Sequence, residues 1–379
     1  MENHYEVIVV GAGSMGMAAG YYLAKKGVKT LLIDSYDPPH HHGSHHGDTR
    51  IIRFAYGEGD YYIPLLKRAR ELWEELQEQS QQTLFSQTGV LSVGHLDSTF
   101  VQEAIHNARK HCVPHEVFST EDIHIKWPGI TLPEGYIGCY EDQAGVLFSE
   151  ECIRALQKLA LSQGAALLPN TRVKEIKTGI NEVEVETENG TFYGNGIIIT
   201  AGAWSKEVLA TLNVTLPLDI MRKTVAWTNA NESLFNSSVF PAFTLDVPEG
   251  HYYGFPSIDG CGVKVGRHDG GRKVQPGIET PEFGAFTEDE HDTKNFLRRY
   301  MPEAAGKTKA GKVCYYSNTP DENFIIDRHP EFSNVAIASG FSGHGFKFST
   351  IVGEILSDLV LDKSTDFDLS AFSIKRFSI

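Results

Sequence analysis

The sequence predicts an α/β protein of two domains. Three features carry that prediction: a β-α-β unit at the start, a strand with a glycine-rich loop near the end, and a stretch of strand pairs between them. In the opening unit, Glu6 to Val10 is dominated by β-branched apolar residues, Met15 to Lys26 has helical character, and Thr30 to Ile33 is apolar again. The closing section, NVAIASGFSGHGFKFSTIVGEILSDLVL, reads as a strand, a glycine-rich loop and an amphipathic helix.

Between the first strand and helix lies Gly11-Ala12-Gly13-Ser14-Met15-Gly16, a G-x-G-x-x-G turn in the context that makes it informative. Gly11 permits the tight turn, Gly13 admits a pyrophosphate to the backbone, and Gly16 lets helix and strand pack closely. The N–H groups of Ser14 and Met15 open the helix toward the same anion. Asp34 ends the second strand, where a carboxylate accepts from ribose hydroxyls and repels a 2'-phosphate, which argues against NADP. A turn that binds nothing is the bland alternative, but fingerprint, flanks and acidic residue agree. The fingerprint does not separate FAD from NAD. The loop Gly340 to Gly345 favours FAD, because a long cofactor lying across the sheet needs backbone approach at its far end. A helix beginning at about Phe346 aims its N-terminus at the flavin pyrimidine, where negative charge gathers on reduction. The fold class is therefore a Rossmann-like FAD-binding domain plus a second, α+β substrate domain with a large mixed sheet.

The cofactor domain is expected to be discontinuous, over 1–87, 149–215 and 319–379, with the substrate domain over 88–148 and 216–318. After the opening unit, PPHHHGSHHGDTRIIRFAYGEGDYY lacks periodicity and reads as an irregular loop. It leads into a helix over Tyr62 to Ser80, whose Leu65, Leu66, Ala69, Leu72, Trp73 and Leu76 recur at helical spacing. A strand at Gly89 to Val93 and a helix near Thr99 to His111 follow. A helix from Ser149 to Gln163 and strands at Ala166 to Leu168, Val183 to Thr187 and Gly196 to Thr200 return the chain to the first domain.

The 379 residues are 41% hydrophobic, enough for a full core in each domain. Lys and Arg total 34 against 49 Asp and Glu, a formal charge of -15, the wrong sign for a binder of nucleic acid or anionic membrane. An anionic ligand must be met by a local basic cluster. The five cysteines have no C-x-x-C pair, so neither a zinc nor a disulfide framework is expected and a reducing compartment fits. The start, MENHYEVIVVGAG, has too short an apolar run for a signal segment, and no run of about 18 apolar residues occurs, which reads as a cytoplasmic protein. The run from His40 to His46 would be the one candidate for adventitious metal, and no metal is assigned.

Four blocks are more specific: VIVVGAGSMGMAAGYYLAKKGVKTLLID, DPPHHHGSHHGDTRIIRFAYGEG, YYGFPSIDGCGVKVGRHDGG and KVCYYSNTPDENFIIDRHPEFSNVAIASGFSGHGFKFS. In order and over essentially the whole chain, they resemble the family of monomeric sarcosine oxidases and N-methyltryptophan oxidases, within the D-amino-acid oxidase-like flavoproteins. The resemblance implies a monomer with FAD bound covalently through Cys314. It implies oxidation of a small N-methyl amino acid by oxygen, with formaldehyde and hydrogen peroxide released. It places Arg53 and Lys347 on the substrate carboxylate, the first a planar fork and the second a point charge. Lys264 becomes the cation that activates oxygen. Arg50 tunes the flavin face, and His268, Tyr253 and Tyr316 line the cavity with Gly343. His46, Thr49 and Val173 become cofactor contacts, with Gly345, Phe346 and Lys347 at the other end.

The match departs at Thr244, where the sarcosine-oxidising relatives carry methionine, and at Phe54, which replaces a histidine. A shorter, more polar Thr244 leaves room for a larger or cyclic secondary amino acid, such as N-methyltryptophan, proline or pipecolate. Sarcosine remains the first choice. A flavin dehydrogenase with an acceptor other than oxygen is the competing class, and Lys264 is the residue that separates the two.

Overall fold

The computed structural model describes residues 3–275, 278 and 280–377. Val7–Val10 is buried throughout and pairs in parallel with Thr30–Ile33 on one side and Gly196–Ile199 on the other. Such two-sided burial is what an unbroken β-branched run favours. The sheet has six strands in the order Ile325–Arg328, Val335–Ser339, Gly196–Ile199, Val7–Val10, Thr30–Ile33, Ala166–Leu168. All pairs are parallel except the edge strand Ile325–Arg328. The helix Ser14–Lys25 is buried from Met15 to Ala24, packed against the helices Ser149–Ser162 and Ser349–Val360. The expected helix after the irregular loop spans Ile63–Ser80 and buries all six of its periodic apolar residues.

Val183 to Thr187 packs in the same core as the parallel sheet but is not one of its strands. It belongs to Glu182–Thr187, the middle strand of a separate antiparallel sheet with Val173–Gly179 and Gly190–Gly194. The segment read as irregular also contains a strand, Thr49–Ile52, paired with Gly145–Phe148. A distant partner supplies its hydrogen bonds, so no local pattern announces it.

The second sheet has nine strands and is mixed, its strands drawn from residues 90–141 and 219–318. Val90–His95 and Ala242–Val247 run parallel, while the remaining pairs are antiparallel. Alternation decides what each face holds. Leu91, Val93, Phe243, Leu245, Tyr252, Val263 and Val265 enter one core with Phe296, Leu297 and Tyr300 of the helix Glu288–Tyr300. The intervening positions put Glu141, Ser92, Thr244, Tyr253 and Lys264 on the opposite face, together with Lys223, Cys314 and Tyr316. No helix among the described residues is long and apolar enough to cross a membrane.

Candidate active site

A cavity of about 490 Å³ runs along the carboxyl ends of the parallel strands, from Asp34 past Gly11, Gly13, Ser14 and Met15 to Gly343, Gly345 and Phe346. Val173 also lines it. Gly11 has φ +91°, and a Cβ there would lie 2.4 Å from the Thr200 carbonyl oxygen. At Gly16 a Cβ would lie 1.8 Å from the Gly11 carbonyl oxygen, so Gly16 closes the turn from behind while Gly13 faces the cavity. The helix that follows has no side-chain cap on its first N–H groups. Asp34 accepts from the Ala12 and Tyr36 N–H groups at 2.7 and 2.9 Å, bracing the turn it was expected to complement. An elongated cavity with an uncapped helix N-terminus at one end and a second glycine loop at the other fits FAD.

A smaller cavity of about 70 Å³ adjoins it, and Arg50, Tyr316, Gly343 and Phe346 line both. Its other walls include Arg53, Thr244, Tyr253, His268 and Lys347. The structure thus gathers cations from distant parts of the chain around one small space in an acidic protein. Arg53 is buried and donates to Glu58 Oε1 at 2.6 Å and to the Ala55 carbonyl at 3.0 Å. Lys347 Nζ donates to the His344 carbonyl at 2.9 Å and to the Tyr56 hydroxyl at 3.3 Å. Burial, reinforced by Arg53, lowers Lys347 to about 7. Burial alone would raise Glu58, but Arg53, His344 and Lys347 together hold it at about 2. Burial also keeps His268 neutral, its pKa well below the ordinary value, with His251 and His344 adding to the effect. It raises the Tyr253 and Tyr316 phenols, the former to about 12.

Lys264 stands behind this surface and outside the lining of the two cavities. Its Nζ donates to the Gly47 carbonyl at 2.5 Å and to Thr49 through the carbonyl at 3.1 Å and the hydroxyl at 2.9 Å. The ammonium packs over the Phe255 ring. Burial first, and Arg50 second, push it well below the ordinary lysine value. Thr49 therefore anchors Lys264 and does not line either cavity. Arg50 donates to the Thr49, Ser44 and His46 carbonyls, each at 2.7 Å, and tightens the same loop.

His46 likewise lines neither cavity: its Nδ1 lies 3.1 Å from Glu150 Oε1, which draws the ring aside. His45 lines the large cavity instead, buried and lowered to about 3 by desolvation. Cys314 is buried on the strand Thr308–Asn318, in register with Lys223 and two positions from Tyr316 on the same face. The next two residues, Tyr315 and Tyr316, line the large cavity, whereas Cys314 does not.

Sequence reasoning missed Glu58, Tyr56 and His344. The glycines flanking Glu58 in Gly57-Glu58-Gly59 were an available signal, since an acid held between two glycines belongs to a shaped loop. Tyr56 and His344 joined by a 2.6 Å hydrogen bond across the chain had none.

Residues 6–359 match the family model described as FAD dependent oxidoreductase. The chain is 51% identical to monomeric sarcosine oxidase of Bacillus sp. (strain B-0618), over 99% of this chain and 97% of that one. It is 41% identical to N-methyl-L-tryptophan oxidase of Yersinia pestis (strain Pestoides F), over 98% and 99%. Among solved structures, it resembles NikD, "an unusual amino acid oxidase essential for nikkomycin biosynthesis", with a TM-score of 0.86 and 22% identity over 98% of each chain. L-proline dehydrogenase from P. horikoshii has a TM-score of 0.85 and 24% identity over 100% of this chain and 99% of that one. At those identities the two structures bear on the fold alone. The full-length sequence match, the dinucleotide turn and the cavity along the strand ends make this chain a member of the FAD dependent oxidoreductase family.

Proposed function

We propose that the chain is an oxidase that demethylates sarcosine and similar small N-methyl amino acids to the amino acid, formaldehyde and hydrogen peroxide. One observation carries this reading. Arg53 and Lys347 line a cavity of about 70 Å³, small and walled by neutral aromatic groups, that opens directly onto the large cofactor-sized one. A cation pair there suits a carboxylate, and the volume suits the smallest N-methyl amino acid. The similarity to sarcosine oxidases over the whole chain supports the same substrate class.

FAD, when bound, accepts the two electrons and delivers them to oxygen. The protein's part is positional and electrostatic. Arg53 and Lys347 hold the carboxylate, Arg53 exchanging Glu58 for it. Loss of either cation is expected to cost about 2–5 kcal/mol of binding. Neutral His268, Tyr253 and Tyr316 orient the amine without adding charge, while the surrounding cations favour its unprotonated form, the one with an available lone pair. Lys264, with Arg50, stabilises negative charge as oxygen is reduced. Cys314 supplies the sulfur for covalent attachment. The cofactor contacts are Gly11, Gly13, Ser14, Met15, Asp34, Val173 and the Gly343 to Lys347 segment, with Gly16 closing the turn behind them. The two-domain division over 1–87, 149–215 and 319–379 against 88–148 and 216–318, a monomeric state and a cytoplasmic location belong to the same reading.

A larger or cyclic secondary amino acid is the second reading. Thr244 Oγ1 is buried in the small cavity and has no hydrogen-bond partner among the described residues, so a polar group or added bulk has a place to go. Peroxide production from sarcosine, N-methyltryptophan, proline and pipecolate tests both. Sarcosine is expected to give the highest kcat/KM. Turnover without peroxide would overturn the oxidase assignment, and preference for a ring substrate would replace sarcosine.

A further inference from the structure

Glu141, the last residue of the strand Tyr136–Glu141, is a buried carboxylate that the reading above does not use. Its Oε2 accepts from the Phe54 N–H at 2.7 Å and from the Ala55 N–H at 2.8 Å. Both contacts are within ordinary hydrogen-bond length, so one carboxyl oxygen satisfies two adjacent amides. The same turn is gripped twice more. Arg53 donates to the Ala55 carbonyl at 3.0 Å, and Asn107 of the helix Thr99–Lys110 donates to the Tyr56 carbonyl at 2.9 Å. Glu141 is on a strand of the large sheet and Asn107 on a helix packed against it, while the turn reaches the glycine loop through Tyr56 and His344.

The turn links the two cations of the small cavity. Arg53 is at its start. Tyr56, at its end, bonds His344 Nδ1 at 2.6 Å and accepts from Lys347 Nζ at 3.3 Å. Small changes in the 54–56 backbone therefore move both cations relative to each other. A carboxylate must also overcome its own desolvation to stay at this position. Burial raises Glu141 to about 7 against the pull of the two amides and Arg53. What the turn requires is an oxygen at this point, because without it two buried amides would be left unpaired.

We propose that Glu141 is a positioning residue of the carboxylate clamp: by holding the Phe54 and Ala55 amides on one oxygen, it sets the spacing at which Arg53 and Lys347 meet a single carboxylate. This rests on the assignment of Arg53 and Lys347 as that clamp. Glu141 itself touches no substrate.

The test compares Glu141→Leu, Glu141→Gln and wild-type holoenzyme. Affinity for (methylthio)acetate, a carboxylate without an amine, is read from flavin absorbance. KM and kcat for sarcosine and the rate at which oxygen reoxidises dithionite-reduced enzyme are read alongside. Glu141→Leu is expected to weaken the carboxylate ligand and raise KM at least tenfold, with reoxidation changed less than twofold. Glu141→Gln keeps an oxygen for both amides and is expected to recover most of that loss. Should Glu141→Leu fail to accumulate folded, Glu141→Asp withdraws the oxygen by one methylene and is expected to show the same pattern more weakly. Unchanged ligand affinity in Leu and Asp variants alike overturns the proposal, as does a Gln variant as weak as the Leu one. Equal losses in ligand affinity and reoxidation do so too, because they report general damage. The titration needs no turnover, so a wild-type protein that binds the carboxylate but ignores sarcosine would sink the functional reading alone.

Discussion

Arg53 and Glu58 form an ion pair at 2.6 Å inside the small cavity, so an incoming carboxylate and a resident one compete for the same guanidinium. Glu58→Gln removes the competitor. Leaving a buried Arg53 without its anion costs about 3–5 kcal/mol in the free protein, and a bound carboxylate restores part of that. The variant is therefore expected to melt at a lower temperature than wild type when ligand-free, and to bind (methylthio)acetate roughly tenfold more tightly, a change of about 1.4 kcal/mol. Calorimetric melts with and without the ligand check it, and weaker binding would remove Glu58 from the role.

Lys347 makes carboxylate binding depend on pH. Its pKa of about 7 in the free protein means that it is charged below that value and neutral above it. Since the anion prefers the charged form, affinity is expected to be flat below pH 7 and to fall above it, by up to about tenfold per unit. Glu58, held at about 2, stays ionised throughout and contributes no slope. Glu141 also titrates near 7, so the assignment rests on Lys347→Met. That variant should bind weakly at every pH and lose most of the slope, measured by titration between pH 6 and pH 9.

Lys264→Met separates the two halves of the reaction. The ammonium is fixed by three hydrogen bonds to Gly47 and Thr49. Reoxidation by oxygen is expected to slow about 100- to 1,000-fold, the range for loss of one preorganised electrostatic group. Anaerobic reduction by sarcosine should change little. Stopped-flow absorbance follows each half, and intact oxygen reactivity would return the protein to the dehydrogenase class.

Cys314→Ser tests attachment. Acid precipitation of the wild type is expected to leave the yellow colour with the polypeptide, and the variant is expected to release it to the supernatant. Release from both would leave Cys314 as a small buried strand residue.

The parts of the fold legible in the sequence are those whose signal is local. The glycine turn, the helix over Ile63–Ser80 and the strands of the parallel sheet each carry their period or fingerprint within a few residues. The helix Glu288–Tyr300 was not anticipated in a region read as strand pairs. Its sequence, EDEHDTKNFLRRY, is charged along most of its length and buries few apolar side chains. In the site, Arg53, Lys347, Tyr253, His268 and Tyr316 were named from matching blocks, and the structure brings all five to the small cavity. Glu58 and Glu141 escaped because a lone acidic residue in sequence is most often a solvated charge. Only the tertiary structure buries them, one against Arg53 and the other beneath the Phe54 and Ala55 amides. Of the histidines in the His40 to His46 run, His45 lines the large cavity while His46 turns to Glu150, and a run of histidines gives no cue to which ring does which.

The two-sided character of the nine-stranded sheet limits how this chain can change length. Inserting or deleting one residue within Gly250–Phe255 ahead of Tyr253 would put Tyr252 or Gly254 in its place and turn Tyr253 away from the small cavity. The same frameshift in Val263–Arg267 would carry Lys264 into hydrocarbon. Indels compatible with activity are thus confined to exposed connections such as 259–261, where added residues loop into solvent and leave the parity of the neighbouring strands intact.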